Sequence, residues 1–190
     1  GSPRLEDYQS LKTTLDLSKY ESGEGTVNYN SATDPEWSRS LIFAIGVHNA
    51  GICGEGTIDG DNVRNPKGEE HMRGPHTVLL AGCKDMSFCD FTVNHSANYA
   101  FLAYKIENTR YERIKINGGW DGIHVRGAKR LHISNCNIHS GDDALAGGYW
   151  EKAQITNCTL NSSCNGIRMI MPSTNVHVSH CRFEGPGVYP

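Results

Sequence analysis

Leu131-His132-Ile133-Ser134-Asn135-Cys136-Asn137-Ile138 is one copy of a pattern that runs through most of the chain. Apolar residues stand at its first, third, sixth and eighth positions. The same frame fits Met86–Val93, Thr109–Ile116, Ala153–Leu160 and Val176–Phe183. The last apolar positions give 116−93=23, 138−116=22, 160−138=22 and 183−160=23. An earlier match, Gly51–Ile58, lies 35 residues before Val93, and the charged stretch Asp61–Met72 accounts for the excess as an inserted loop. A repeat this regular is a structural unit that buries its apolar face only against its neighbours.

Two repeat architectures have this length. The leucine-rich repeat needs a Leu-x-x-Leu-x-Leu-x-x-Asn frame, which is absent. Short β-rich runs broken by Gly and Asn, with no helical stretch in any repeat, predict an all-β chain: a single right-handed parallel β-helix of about six coils of 22–23 residues. Equivalent residues of successive coils then sit about 4.8 Å apart. The helix is expected over 39–190, preceded by an irregular approach segment over 1–38. In that segment Leu5–Leu17 has room for a short helix, although Thr13-Thr14 and Gly23-Glu24-Gly25 favour loops.

The register assigns the cysteines. Of seven, an odd count, Cys136, Cys158 and Cys181 share one position and predict an inward ladder of free thiols. Parallel side-chain directions disfavour a disulfide between stacked neighbours. Asn135 and Asn157 precede two of these cysteines and suit a polar ladder at a corner. With 37% apolar residues the chain can bury one sizeable core. A net charge of −3 without a basic block gives no footprint for nucleic acid, and no apolar run approaches a membrane span.

Counting five residues past the last apolar position of each coil gives a row of Asn98, Asp121, Asp143 and Asn165; four past gives Ala97, Trp120, Asp142 and Cys164. Asp121, Asp142 and Asp143 therefore converge where one turn enters one sheet. Crowded carboxylates cannot all ionise, so at least one pKa rises. One protonated and one ionised carboxyl is what glycosidic cleavage requires. A turn-capping cluster or a calcium site would use the same residue types. Eight past stand Phe101, His124, Ala146 and Arg168, expected to face out of the sheet. His124 is then a candidate for substrate contact or acid–base support, Arg168 for binding a uronate or sulfate group. Trp120, Tyr149 and Trp150 could stack on sugars.

Several motifs resemble glycoside hydrolase family 28, the polygalacturonase-like right-handed β-helices. Gly54-Glu55-Gly56-Thr57-Ile58-Asp59-Gly60 is similar to the family's G-x-G-T-I-D-G, and Arg73-Gly74-Pro75 to its R-P step. Asp121-Gly122 resembles the end of N-T-D-G, and Gly141-Asp142-Asp143 its G-D-D. The resemblance implies hydrolysis of a pectin-like, acidic polysaccharide by inversion. Asp142 would be the general acid, Asp121 and Asp143 the water-holding carboxylates, and Asn165, Trp120, His124, Arg168 and Tyr149 the substrate contacts. It calls for no metal and no cofactor, and implies an extracellular or periplasmic location. Three departures qualify it. Gly119-Trp120 replaces N-T, Cys164-Asn165-Gly166 replaces a His-bearing G-H-G, and the family's R-I-K element falls at or beyond the end. Arg113-Ile114-Lys115 spells those letters in the wrong coil. A non-catalytic glycan-binding β-helix and a polysaccharide lyase or epimerase are the rival readings. The end Gly185-Pro186-Gly187 shows no cap, so the chain reads as part of a longer protein or as one that self-associates through bare end coils.

Overall fold

A computed structural model describes residues 1–21 and 30–189, so Gly23-Glu24-Gly25 lies outside the described residues. The apolar row of the repeat is the spine of the molecule. Ile58, Val93, Ile116, Ile138, Leu160 and Phe183 are consecutive partners in six stacked parallel strands, one per coil, from Thr57–Asp59 to Arg182–Glu184. A second, ten-stranded sheet wraps the rest of each coil. Its three strands Phe101–Glu112, Ile123–Ser134 and Leu145–Thr156 are twelve residues each and pair in parallel along almost their whole length. The chain is thus the expected parallel β-solenoid.

Strand alternation then sorts the side chains. Ile123, Val125, Leu131 and Ile133 point inward with their counterparts in the neighbouring coils and are fully buried. Phe88, Phe101 and Tyr111 pack together in the core of the earlier coils, with ring centroids 5.1–5.5 Å apart. The interior has no helix, so each rung is held by ladder hydrogen bonds and by the apolar side chains of the rungs beside it.

The cysteines divide by side. Cys136 and Cys158 are buried free thiols, and Cys181 continues the row in the last coil. The thiols of Cys136 and Cys158 donate to the carbonyls of Ser134 and Thr156, at 3.3 and 3.4 Å. Cys53 and Cys89, stacked partners of an earlier pair of strands, are instead joined in a disulfide with Cα atoms 4.6 Å apart. The objection to bridging stacked cysteines fails there. These two alternate with the core residues Ile52 and Phe88, so their side chains are outside the core packing that fixes the thiol ladder. The asparagine ladder is present: the Asn157 amide donates to Asn135 Oδ1 at 2.6 Å, and both residues adopt φ of 54°.

Among its described residues the approach segment has no α-helix. It has 3-10 turns at Leu5–Asp7 and Ser18–Tyr20 and a two-residue strand, Gln9–Ser10, antiparallel to Arg39–Ile45. Leu11, Leu17, Ala32 and Trp37 bury the outer face of the long sheet at Leu79, Tyr99, Leu102 and Tyr104. At the other end Met169, Val178 and Phe183 are exposed apolar residues of the last coil. The chain beyond Phe183 does not trail away. It folds back along the turns, where Val188 N–H donates to Ser140 O and Tyr189 N–H to Ser163 Oγ.

Candidate active site

The carboxylates lie where the turn after the six-stranded spine enters the long sheet. Gly118 and Gly119, at φ of 90° and 83°, give that turn its left-handed backbone. Gly122 lets the next coil close in: a Cβ there would stand 2.5 Å from Ala144 O. Gly122 N–H donates to Asp143 O and Ala144 N–H to Asn165 O, so Asp121, Asp143 and Asn165 form one row, as the register requires. Asn98 does not belong to it. The turn in that coil has one more residue (101−93=8 against 123−116=7), so Ala100 N–H meets Asp121 O and Tyr99 lies beside Asp121. For the same reason Leu102, not Phe101, is the partner of His124, and Phe101 is a core residue.

Asp121 is buried, at 2% exposure. Its Oδ2 lies 2.6 Å from His124 Nδ1, and its Oδ1 accepts Asp143 N–H at 3.2 Å. Burial and then the charge of Asp142 push its pKa up to about 7. Asp143 is equally buried. Its Oδ1 accepts both the amide side chain of Asn165, at 2.7 Å, and the Asn165 backbone N–H, at 3.2 Å, while Arg168 Nη1 stands 3.4 Å from Oδ2. Its pKa is also raised, burial being the main cause. Asp142 differs: its side chain is 24% exposed, and Arg73 Nη2 donates to its Oδ2 at 2.9 Å. A pair of buried acids behind one accessible acid holds a proton near neutral pH.

Arg73 is the principal residue that the sequence pattern did not single out for the site. It comes from the end of the inserted loop, is only 6% exposed, and is also paired with Glu69 and Glu70 of that loop. Its guanidinium carbon lies 4.1 Å from the centroid of the Trp120 ring. Trp120 in turn packs against Tyr189 of the returning tail, with centroids 5.0 Å apart. The loop was legible as an insertion; that its end reaches three coils along the solenoid onto the acids was not.

Other expected contacts fall elsewhere. His124 is not on the surface but 3% exposed, stacked on Tyr99 and turned into the cluster. Tyr149 packs against Tyr20 and Lys19, in a groove also lined by Leu15, His48 and Lys105, and Trp150 is a core residue whose indole donates to Val125 O. Neither is part of the acid cluster. Arg113 pairs with Asp90 and Glu112 at an exposed corner, consistent with its wrong coil. Asp142, Asp143 and Cys164 offer ligand atoms within 4.8 Å of one another. Arg73 and Arg168 already neutralise those two carboxylates, which sets the cluster against a cation.

The profile of glycosyl hydrolases family 28 matches residues 7–167, most of the chain. The chain belongs to that family. Over 97 residues it is 28% identical to a polygalacturonase of Juniperus ashei, a stretch that is 48% of this chain and 18% of the relative. Among solved structures, one of a presumed glycosyl hydrolase from Parabacteroides merdae aligns with a TM-score of 0.54 over 96% of this chain and 68% of its own, at 18% identity. The family 28 chain thus spans less than a fifth of that polygalacturonase. In place of the histidine of G-H-G, Asn165 holds Asp143; a histidine one coil away, His124, holds Asp121.

Proposed function

We propose that this family 28 chain carries the site of a glycoside hydrolase acting on an acidic, pectin-like polysaccharide, outside the cytoplasm. The observation that supports it is the division of labour in the triad: two buried, hydrogen-bonded carboxyls behind one that substrate can reach. Asp142 is the general acid, protonating the leaving oxygen. Asp121 and Asp143 orient and deprotonate the attacking water. For Asp142 to carry a proton, Arg73 has to give up part of its hold, and a uronate carboxylate is the competitor that would draw it away. Arg168, with 55% of its side chain exposed, is placed to meet a second acidic group. Trp120 and Tyr189 offer ring faces beside the acids.

Inversion is the outcome that the family implies. An oxygen of Asp142 lies within 4.8 Å of one of Asp143, tighter than the roughly 6.5–9.5 Å usual for inverting pairs. The first anomer released, followed by proton NMR, decides the point. The function itself is tested by reducing-sugar release from polygalacturonate and from neutral glycans, with Asp142→Asn as control. Release that is undiminished in the variant removes Asp142 as the acid. A product with the ultraviolet absorption of an unsaturated uronide replaces hydrolysis by elimination. Tight binding without turnover leaves a glycan-binding module.

A further inference from the structure

We propose that Arg126 is a positioning residue of this site: it fixes His124 as the neutral tautomer protonated on Nδ1, which in turn holds Asp121. The inference rests on the carboxylate-site reading above and adds the residue that orders it. Arg126 Nε lies 3.0 Å from His124 Nε2. A guanidinium can only donate, so Nε2 must accept, and the ring proton is left on Nδ1. Nδ1 is the atom 2.6 Å from Asp121 Oδ2, so the bond runs Arg126 to His124 to Asp121 without a free choice at any step. A doubly protonated ring would set N–H against N–H and one cation against another.

The groups around the ring agree. His124 and Arg126 are 3% and 4% exposed, and Tyr99 lies parallel to the imidazole at 4.8 Å. Burial and then Arg126 hold its pKa well below the ordinary histidine value, against the opposing charges of Asp143 and Asp142 and with Arg168 adding to the effect. Asp121, in direct contact, is the one carboxylate that a charged ring could neutralise, and it is itself pushed toward its protonated form. His76, also against the Tyr99 ring, is buried and held neutral as well.

Arg126 is anchored from outside the coils. Its Nη1 donates to the carbonyl oxygens of Glu21 and Asn30, the residues on either side of 22–29. Main-chain carbonyls leave the guanidinium charge in place, so the approach segment fixes the orientation of Arg126 and, through it, the carboxyl two residues farther along the relay. Among the described residues of that segment none hydrogen-bonds to the acids, yet their geometry depends on it.

The test is 15N NMR of His124 in the whole chain from pH 5 to 8. The expected spectrum is a single Nδ1-protonated tautomer that does not titrate in the wild type, and a titrating or mixed-tautomer ring in Arg126→Met. An Nε2-protonated ring, or titration of His124 in the wild type, overturns the proposal whether or not the variant folds. In the activity arm, Arg126→Met is expected to lose about a hundred-fold in kcat with little change in KM, and to shift the acid limb of its pH profile. Unchanged kcat and profile in a folded variant also overturn it. If no polysaccharide is cleaved at all, the hydrolase reading falls while the tautomer measurement still stands.

Discussion

The coil bearing Asp121 and the coil bearing Asp142 and Asp143 have nearly the same backbone, with Ile123 paired to Leu145 and Ile133 to Ile155. Asp121 and Asp142 nevertheless differ in burial and in what holds them. Asp121 is sealed in and held through a histidine and an arginine that trace back to the approach segment. Asp142 stands at the surface under an arginine from the inserted loop. The solenoid delivers carboxylates to one place by repetition. What lies on top of the coils, from two non-repeating segments, assigns each of them a role.

The largest effect should follow from removing the accessible acid. Asp142→Asn keeps the volume and still accepts from Arg73, so the coil is expected to remain folded. Hydrolysis should fall by about 10²–10⁴-fold, the usual contribution of a positioned proton donor. If Asp121→Asn costs activity and Asp142→Asn does not, the assignment of roles between the coils is reversed.

The next test uses stability, where the buried acid should dominate. Burial raises the Asp121 pKa from an ordinary 3.8 to about 7. The folded state therefore binds this proton more tightly than the unfolded state does. Stability from this group is full below about pH 4, declines as pH rises, and is gone above about 7. The slope contributed is at most about 1.4 kcal/mol per pH unit. Urea denaturation of Asp121→Asn should lose most of that decline, leaving the smaller one of the same sign from Asp143. Asp142→Asn should keep the part due to burial and lose the part due to the neighbouring charge, so the decline shrinks without disappearing. The neutral buried His76 and His124 pull the total the other way, so the test is the difference from wild type: a gap between wild type and Asp121→Asn that does not change from pH 4 to 7 would contradict the burial argument.

The sequence made the coils legible because the repeat is enforced by physics at each rung: a residue of the wrong type in the Ile116–Ile138–Leu160 row would open the core. The triad was legible for the same reason, since Asp121 and Asp143 share a register that backbone pairing obeys. Three things were not legible. Arg73 reaches the acids from a loop whose path no periodicity describes. His124 counts as an outward residue, yet it is buried against Tyr99, Asp121 and Arg126. The extra residue between Val93 and Phe101 moves Tyr99, not Asn98, next to Asp121, because a turn can absorb an insertion that a strand pair cannot. The Cys53–Cys89 bridge belongs with these, since a bond between side chains outside the core leaves no trace in the spacing.

Arg73→Met sharpens the contrast from the side of the loop. The methionine keeps contact with Trp120 and removes the charge shared among Glu69, Glu70 and Asp142. On polygalacturonate, kcat/KM should drop by about ten- to a hundred-fold, of the order set by losing a charge-assisted hydrogen bond to a carboxylate. On a neutral glycan the drop should be smaller. Equal losses on both would mean that Arg73 serves only to hold the loop, and the acid of the outer coil would then have no substrate-dependent partner.

Arg168 should produce the smallest change. Its contact with Asp143 is long, 3.4 Å, and more than half of its side chain is in water, so as an ion pair it contributes between 0 and about 1 kcal/mol. The Asp143 carboxylate does not depend on it, because two donors from Asn165 already occupy the other oxygen. Arg168→Gln should therefore alter the pH dependence of stability only slightly, through Asp143 and His124, and raise KM for an acidic substrate by only a few-fold, with the difference shrinking as salt screens the exposed charge. A collapse of kcat instead would show that Asp143 needs the guanidinium as Asp142 needs Arg73. The two acids of that coil would then be held alike, and the distinction between buried and accessible carboxylates would rest on Asp121 alone.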